Sequence, residues 1–137
     1  LAELAAGEPV ETPESYLARC PAYVDAQYEG KRAALRPLLE LILEAAYALG
    51  ADVRACPCQT MVPIYRKRVF AEVKPFASRV DLGLVLGDPA LLEDPRLTDT
   101  GGFAKRDRIT VKLAVATPAD VDAGLLTWLR RAYERDV

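Results

Sequence analysis

Apolar residues recur at steps of three and four along residues 35–49 and at steps of two beyond residue 52. The chain therefore divides into a helical first part and a stranded second part. In the first part Leu35, Leu38, Leu39, Ile42, Ala46 and Leu49 make one buried stripe, and Gly50 follows where a C-terminal cap belongs. This helix is expected within residues 23–49, where Pro37 either kinks it or marks its first turn. Upstream, Thr12-Pro13-Glu14 reads as the start of a short helix that Pro21 interrupts, preceded by an acidic, Ala-rich lead-in.

The alternation predicts strands at residues 53–56 and 60–65, the second at an edge because Pro63 has no N–H for a ladder. Arg66-Lys67-Arg68 follow as a hairpin tip. In the next strand Val69, Ala71 and Val73 point one way, and Phe70, Glu72 and Lys74 the other. Residues 79–86 place Val80, Leu82, Leu84 and Leu86 inward and Arg79 and Asp81 outward. Residues 108–115 repeat this, with Ile109, Val111, Leu113 and Val115 inward and Arg108, Thr110 and Lys112 outward. Between them, Gly87-Asp88-Pro89, Asp94-Pro95 and Gly101-Gly102 predict a long loop with at most one helical turn. Thr117-Pro118-Ala119-Asp120 predicts the start of a final helix carrying Val121, Leu125, Trp128, Leu129 and Ala132 on one face. The expected class is α+β: an antiparallel meander of about four to five strands with helices on one face. Residues 1–24 are expected to be a lead-in with a short helix, and residues 25–137 a single α+β domain.

Composition narrows the chemistry. The 137 residues include no histidine, which removes every mechanism needing an imidazole from this chain. The cysteines are Cys20, Cys56 and Cys58, an odd number with no disulfide-scaffold spacing, and the expected compartment is the cytoplasm. Cys56-Pro57-Cys58 reads as small apolar strand positions rather than half of a zinc site, so neither a metal nor another cofactor is expected. No apolar run has the length of a membrane span.

The net charge of −2 conceals segregation. Residues 53–81 carry a net +4, residues 105–112 a net +3, and everything else −9. A basic sheet under an acidic helical layer suits a small anionic ligand or an acidic protein partner. The residues expected to bind it are Arg66, Arg68, Lys74, Arg79, Lys105, Arg108 and Lys112. The bland alternative is a solvated face on which Glu72 and Asp81 pair with neighbouring bases. Nucleic acid is not expected, since Phe70 is the only aromatic assigned to that face.

Two motifs carry separate chemistry. Thr100-Gly101-Gly102 before Lys105-Arg106 offers backbone N–H groups to an anion or simply makes a turn. Asp52 followed by Glu72-Val73-Lys74 imitates the D…ExK pattern of Mg²⁺-dependent nucleases, in which two carboxylates hold the metal and a lysine stabilises developing charge. Tyr65, Phe70, Phe76, Phe103 and Trp128 are either core residues or the lining of a pocket between loops and sheet.

The run from Pro57-Cys58-Gln59-Thr60 through Glu72-Val73-Lys74-Pro75, then Arg79-Val80-Asp81-Leu82-Gly83-Leu84, Thr100-Gly101-Gly102-Phe103 and Trp128-Leu129-Arg130-Arg131, resembles the bacterial domain-of-unknown-function family 5655 over roughly residues 25–135. The resemblance implies a small α+β domain and brings no catalytic residues with it. Three functions remain in view: a non-enzymatic ligand-binding domain, a nuclease using Asp52, Glu72 and Lys74, and a structural or homodimerising module of a larger protein.

Overall fold

The computed structural model describes residues 21–136. The expected helix at Thr12 and the cysteine Cys20 lie outside the described residues. The helical part is three pieces rather than one. Helix α1 spans Pro21–Gln27, a 3₁₀ turn spans Gly30–Leu35, and α2 spans Arg36–Tyr47. Pro37 occupies the first turn of α2, where its missing N–H costs no hydrogen bond, so it starts this helix. The cap is Ala48 rather than Gly50, and Gly50 has no positive φ. A side chain at position 50 would instead overlap the Tyr133 hydroxyl and Asp52, so glycine is there for clearance.

Six strands make one antiparallel sheet, one more than expected: β1 (Arg54–Ala55), β2 (Val62–Tyr65), β3 (Val69–Pro75), β4 (Val80–Leu84), β5 (Thr98–Asp99) and β6 (Val111–Val115). Their order is β1-β2-β3-β4-β6-β5. Two-residue β5 is the addition, reached through a 3₁₀ turn at Pro89–Glu93 and followed by the four-residue helix α3, Gly102–Lys105. Thr117 and Asp120 form a capping box, but it closes only a 3₁₀ turn at Pro118–Asp120. The final helix, α4, spans Ala123–Arg135 and is capped by Asp122, whose side chain accepts from Leu125 N–H at 3.0 Å. Thr117 is therefore not its N-cap. Among the described residues no helix is long and apolar enough to cross a membrane.

One sheet face packs on the helices. Ala71, Val73, Val80, Leu82, Leu84, Val111, Leu113 and Val115 are at most 1% exposed, joining Leu39, Ile42 and Leu43 of α2 and Leu125 and Leu129 of α4. One residue departs from strict alternation. Ile64 pairs with Ala71 and Tyr65 with Val69, which leaves Phe70 as the extra residue of a bulge. Phe70 is consequently fully buried, edge-on to Tyr133 with ring centroids 5.7 Å apart. The expectation that Phe70 shares the outer face with Glu72 and Lys74 is corrected by this bulge.

The end of α4 clamps the β2–β3 hairpin tip. The Asp136 side chain is 1% exposed. Its Oδ2 accepts from the backbone N–H groups of Lys67 (3.1 Å) and Arg68 (2.9 Å), and its Oδ1 from Arg68 Nε at 3.4 Å. One turn earlier, Tyr133 stacks under the Arg66 guanidinium, 4.1 Å from the ring centroid. Its hydroxyl donates to Asp52 Oδ1 at 2.7 Å, while Arg66 Nε donates to Asp52 Oδ2 at 2.8 Å.

Two outcomes follow. Asp136→Ala strips a carboxylate from two backbone donors, and urea unfolding should show a loss of about 2 kcal/mol. The Tyr133 hydroxyl first, then Arg66, hold the Asp52 carboxyl below its ordinary value. That stabilisation is present above the unfolded-state value and is lost as pH falls through the folded one. Tyr133→Phe should therefore be less stable than the parent at pH 7, with the difference shrinking towards pH 3; a pH-independent difference contradicts the coupling.

Candidate functional site

Among the described residues no helix covers the opposite sheet face. Register places two cross-strand rows there: Glu72, Gly83 and Lys112, then Lys74, Asp81 and Ala114. Gly83 at the centre makes the hollow. A Cβ at this position would lie 2.9 Å from Ile109 Cγ2 and 3.0 Å from Glu72 Cγ, so the glycine lets Glu72 lean across the strand from one side and Ile109 from the other. The loop after β5 supplies the wall through Thr100, Asp107, Arg108 and Ile109. The result is a groove of about 470 Å³, with Glu72, Lys74, Phe76, Asp81 and Lys112 completing its lining.

Asp81 is the most buried charge in this groove, its side chain 8% exposed. Arg79 Nε donates to Oδ1 at 2.8 Å, and Lys112 Nζ stands 3.6 Å from Oδ2, which accepts no hydrogen bond. Arg79 and Lys74 both lie against the Phe76 ring, at 4.9 and 5.7 Å from its centroid. Glu72 is half-buried and makes no ion pair among the described residues. Burial pushes its carboxyl above the ordinary value, with Lys74 pulling the other way.

The seven expected binding residues separate into three groups. Lys74, Arg108 and Lys112 line the groove, and Arg79 stands behind Asp81 at its edge. Arg66 and Arg68 are drawn instead to the α4 clamp. Lys105 is exposed on α3. Arg108 belongs partly to the clamp as well, donating to Val69 O from Nε (3.2 Å) and Nη2 (2.7 Å) and lying 3.9 Å from Asp136 Oδ1. Gly101 and Gly102 turn the chain into α3, Gly101 at φ +87°.

The metal-nuclease pattern is not assembled. Asp52 is engaged by Tyr133 and Arg66 beside α4, whereas Glu72 and Lys74 line the groove on the outer sheet face. Among the described residues no three His, Cys, Asp or Glu side chains converge as a metal site. Cys56 is buried and Cys58 half-buried. The loop carrying them is held by Gln27, whose Nε2 donates to Cys58 O at 2.6 Å and Met61 O at 3.1 Å.

Sequence reasoning passed over Gly83 as part of a site, weighed Thr100 only as part of the glycine turn, and pointed Ile109 inward, whereas all three line the groove. A lone glycine inside an alternating strand is the signal for one, since it marks a close approach or a hollow. Of the aromatics weighed as pocket lining, Phe76 does line the groove, while Phe70 is in the core and Trp128 packs on α4 beneath Arg96, 5.6 Å from the ring centroid.

An antiparallel α+β sheet covered by helices on one face and hollowed on the other defines the class. Within it, the family model described as a domain of unknown function, DUF5655, matches residues 24–136, and the chain belongs to that family. No curated protein and no solved structure matches the chain.

A half-buried carboxylate without an ion pair opposes folding when charged. Because burial raises the folded-state value of Glu72, its stability contribution is lost as pH rises through that value. Glu72→Gln should thus be more stable than the parent at pH 7, with the gain vanishing below about pH 4, near the ordinary carboxyl value. A loss of stability at pH 7 would contradict this electrostatic account.

Proposed function

We propose that this domain binds a small polar molecule by its anionic group in the groove of the outer sheet face. The observation supporting this is the convergence of Lys74 from β3 with Arg108 and Lys112 from the stretch leading into β6, on one concavity of about 470 Å³. That volume suits a small molecule, which concave sites with a few convergent polar groups commonly hold. An acidic protein partner fits less well, because Arg66 and Arg68, which would extend the basic surface, are neutralised by Asp52 and Asp136. A homodimer through this face fits less well too. Glu72, Lys74, Asp81 and Lys112 charge the groove, whereas among the described residues the exposed large apolar side chains, Tyr23 and Leu126, belong to α1 and α4.

The test is titration calorimetry of the full chain with inorganic phosphate. Affinity should fall as salt rises from about 50 to about 500 mM, because the cations are only partly shielded from solvent. Lys74→Ala and Lys112→Ala should each weaken binding roughly fivefold, equivalent to about 1 kcal/mol for one exposed charge pair. Arg66→Ala should leave affinity unchanged. Binding indifferent to salt and to both lysine changes, or lost in Arg66→Ala alone, counts against the groove.

A further inference from the structure

The groove's charges are layered. Lys74 is exposed, and the side chains of Arg108 and Lys112 are 37% and 39% exposed, so the cations form the rim. Asp81, at 8%, and half-buried Glu72 form the floor. With Asp107 included, three carboxylates face three cations around the lining. A ligand that is only an anion gains at the rim and is repelled at the floor. Asp81 sharpens the requirement, because its Oδ2 is buried in the groove and accepts no hydrogen bond. Buried charged acceptors are normally satisfied, and an unsatisfied one is costly unless a donor arrives.

Resting on the anion-binding reading above, the geometry points to a dipolar ligand: a phosphate or carboxylate for the Lys74–Arg108–Lys112 rim, and an ammonium or hydroxyl donor for Asp81 Oδ2 and Glu72. The separation is short. Lys112 Nζ is only 3.6 Å from Asp81 Oδ2, so the anion and the donor stand a few bonds apart, as in an amino acid, an amino-alcohol phosphate or a small sugar phosphate. On binding, the donor inserts beside Asp81 and the anion takes up Lys112, which leaves neither charge without a partner.

Two probes of similar size separate the requirements: phosphoethanolamine, with an anion and an ammonium, and ethyl phosphate, with the same anion and a methyl end. With the full chain, phosphoethanolamine should bind about tenfold or more tightly than ethyl phosphate, the size of one charge-assisted hydrogen bond. Asp81→Asn should reduce that preference to within about twofold, by weakening phosphoethanolamine rather than by weakening both. Glu72→Gln should reduce it in the same direction and serves if Asp81→Asn does not fold, since Glu72 forms no ion pair among the described residues. Lys112→Ala should weaken both probes alike. Equal affinities in the parent, or a preference untouched by both floor changes, overturn the donor requirement while leaving anion binding intact. Binding of neither probe overturns the groove reading and the donor requirement together.

Discussion

The Asp136 carboxylate, buried just past the end of α4, holds the backbone of Lys67 and Arg68 and draws the guanidinium groups of Arg68 and Arg108 towards it. With Tyr133 and Asp52 it fixes the β2–β3 hairpin against the helix that brings Leu125, Leu129 and Ala132 to the core. It also determines what the basic residues do. Arg66 and Arg68, the most conspicuous cations in the chain, become part of the fold's closure, and their charge is offset before any ligand arrives. Lys74 and Lys112 are left to give the outer sheet face its positive charge, with Arg108 shared between that face and the clamp.

A six-stranded sheet with helices on one face needs a second face that tolerates water. The chain meets this need by cross-strand charge, with Asp81 between Arg79 and Lys112, rather than by simple polarity. Gly83 turns that face from a flat ladder into a hollow, because it lets Glu72 and Ile109 lean over the strand from either side. The arrangement has a cost in stability: among the described residues half-buried Glu72 has no ion pair and Asp81 Oδ2 no hydrogen bond. These local violations of good packing chemistry are concentrated at one concavity, which is what supports the proposed site.

Much of the sheet was legible in the chain. Period-two alternation located β3, β4 and β6 and assigned Lys74, Asp81 and Lys112 to one face, because local side-chain direction is all that such an assignment needs. What alternation could not give is anything that depends on one inserted residue or on distant partners. The bulge at Phe70 moves an aromatic ring from the outer face to the core, and it arises only when β3 pairs with β2. Arg68 and Asp136 are 68 positions apart, and nothing in either neighbourhood announces their contact. The box at Thr117 has correct capping chemistry, yet Val121 leaves helical geometry and Asp122 starts the helix afresh. Counting charges along the chain likewise does not reveal that Arg66 and Arg68 are paired with Asp52 and Asp136.

The central claim is that the ligand surface is the hollow around Gly83 and not the arginine-rich hairpin tip. Amide chemical-shift mapping of the full chain during titration with phosphoethanolamine tests it most directly. Shifts concentrated at Glu72–Phe76, Asp81–Gly83 and Asp107–Lys112, with Arg66–Arg68 unmoved, are the predicted result. Shifts centred on Arg66–Arg68 and Asp136, with the groove silent, would contradict it.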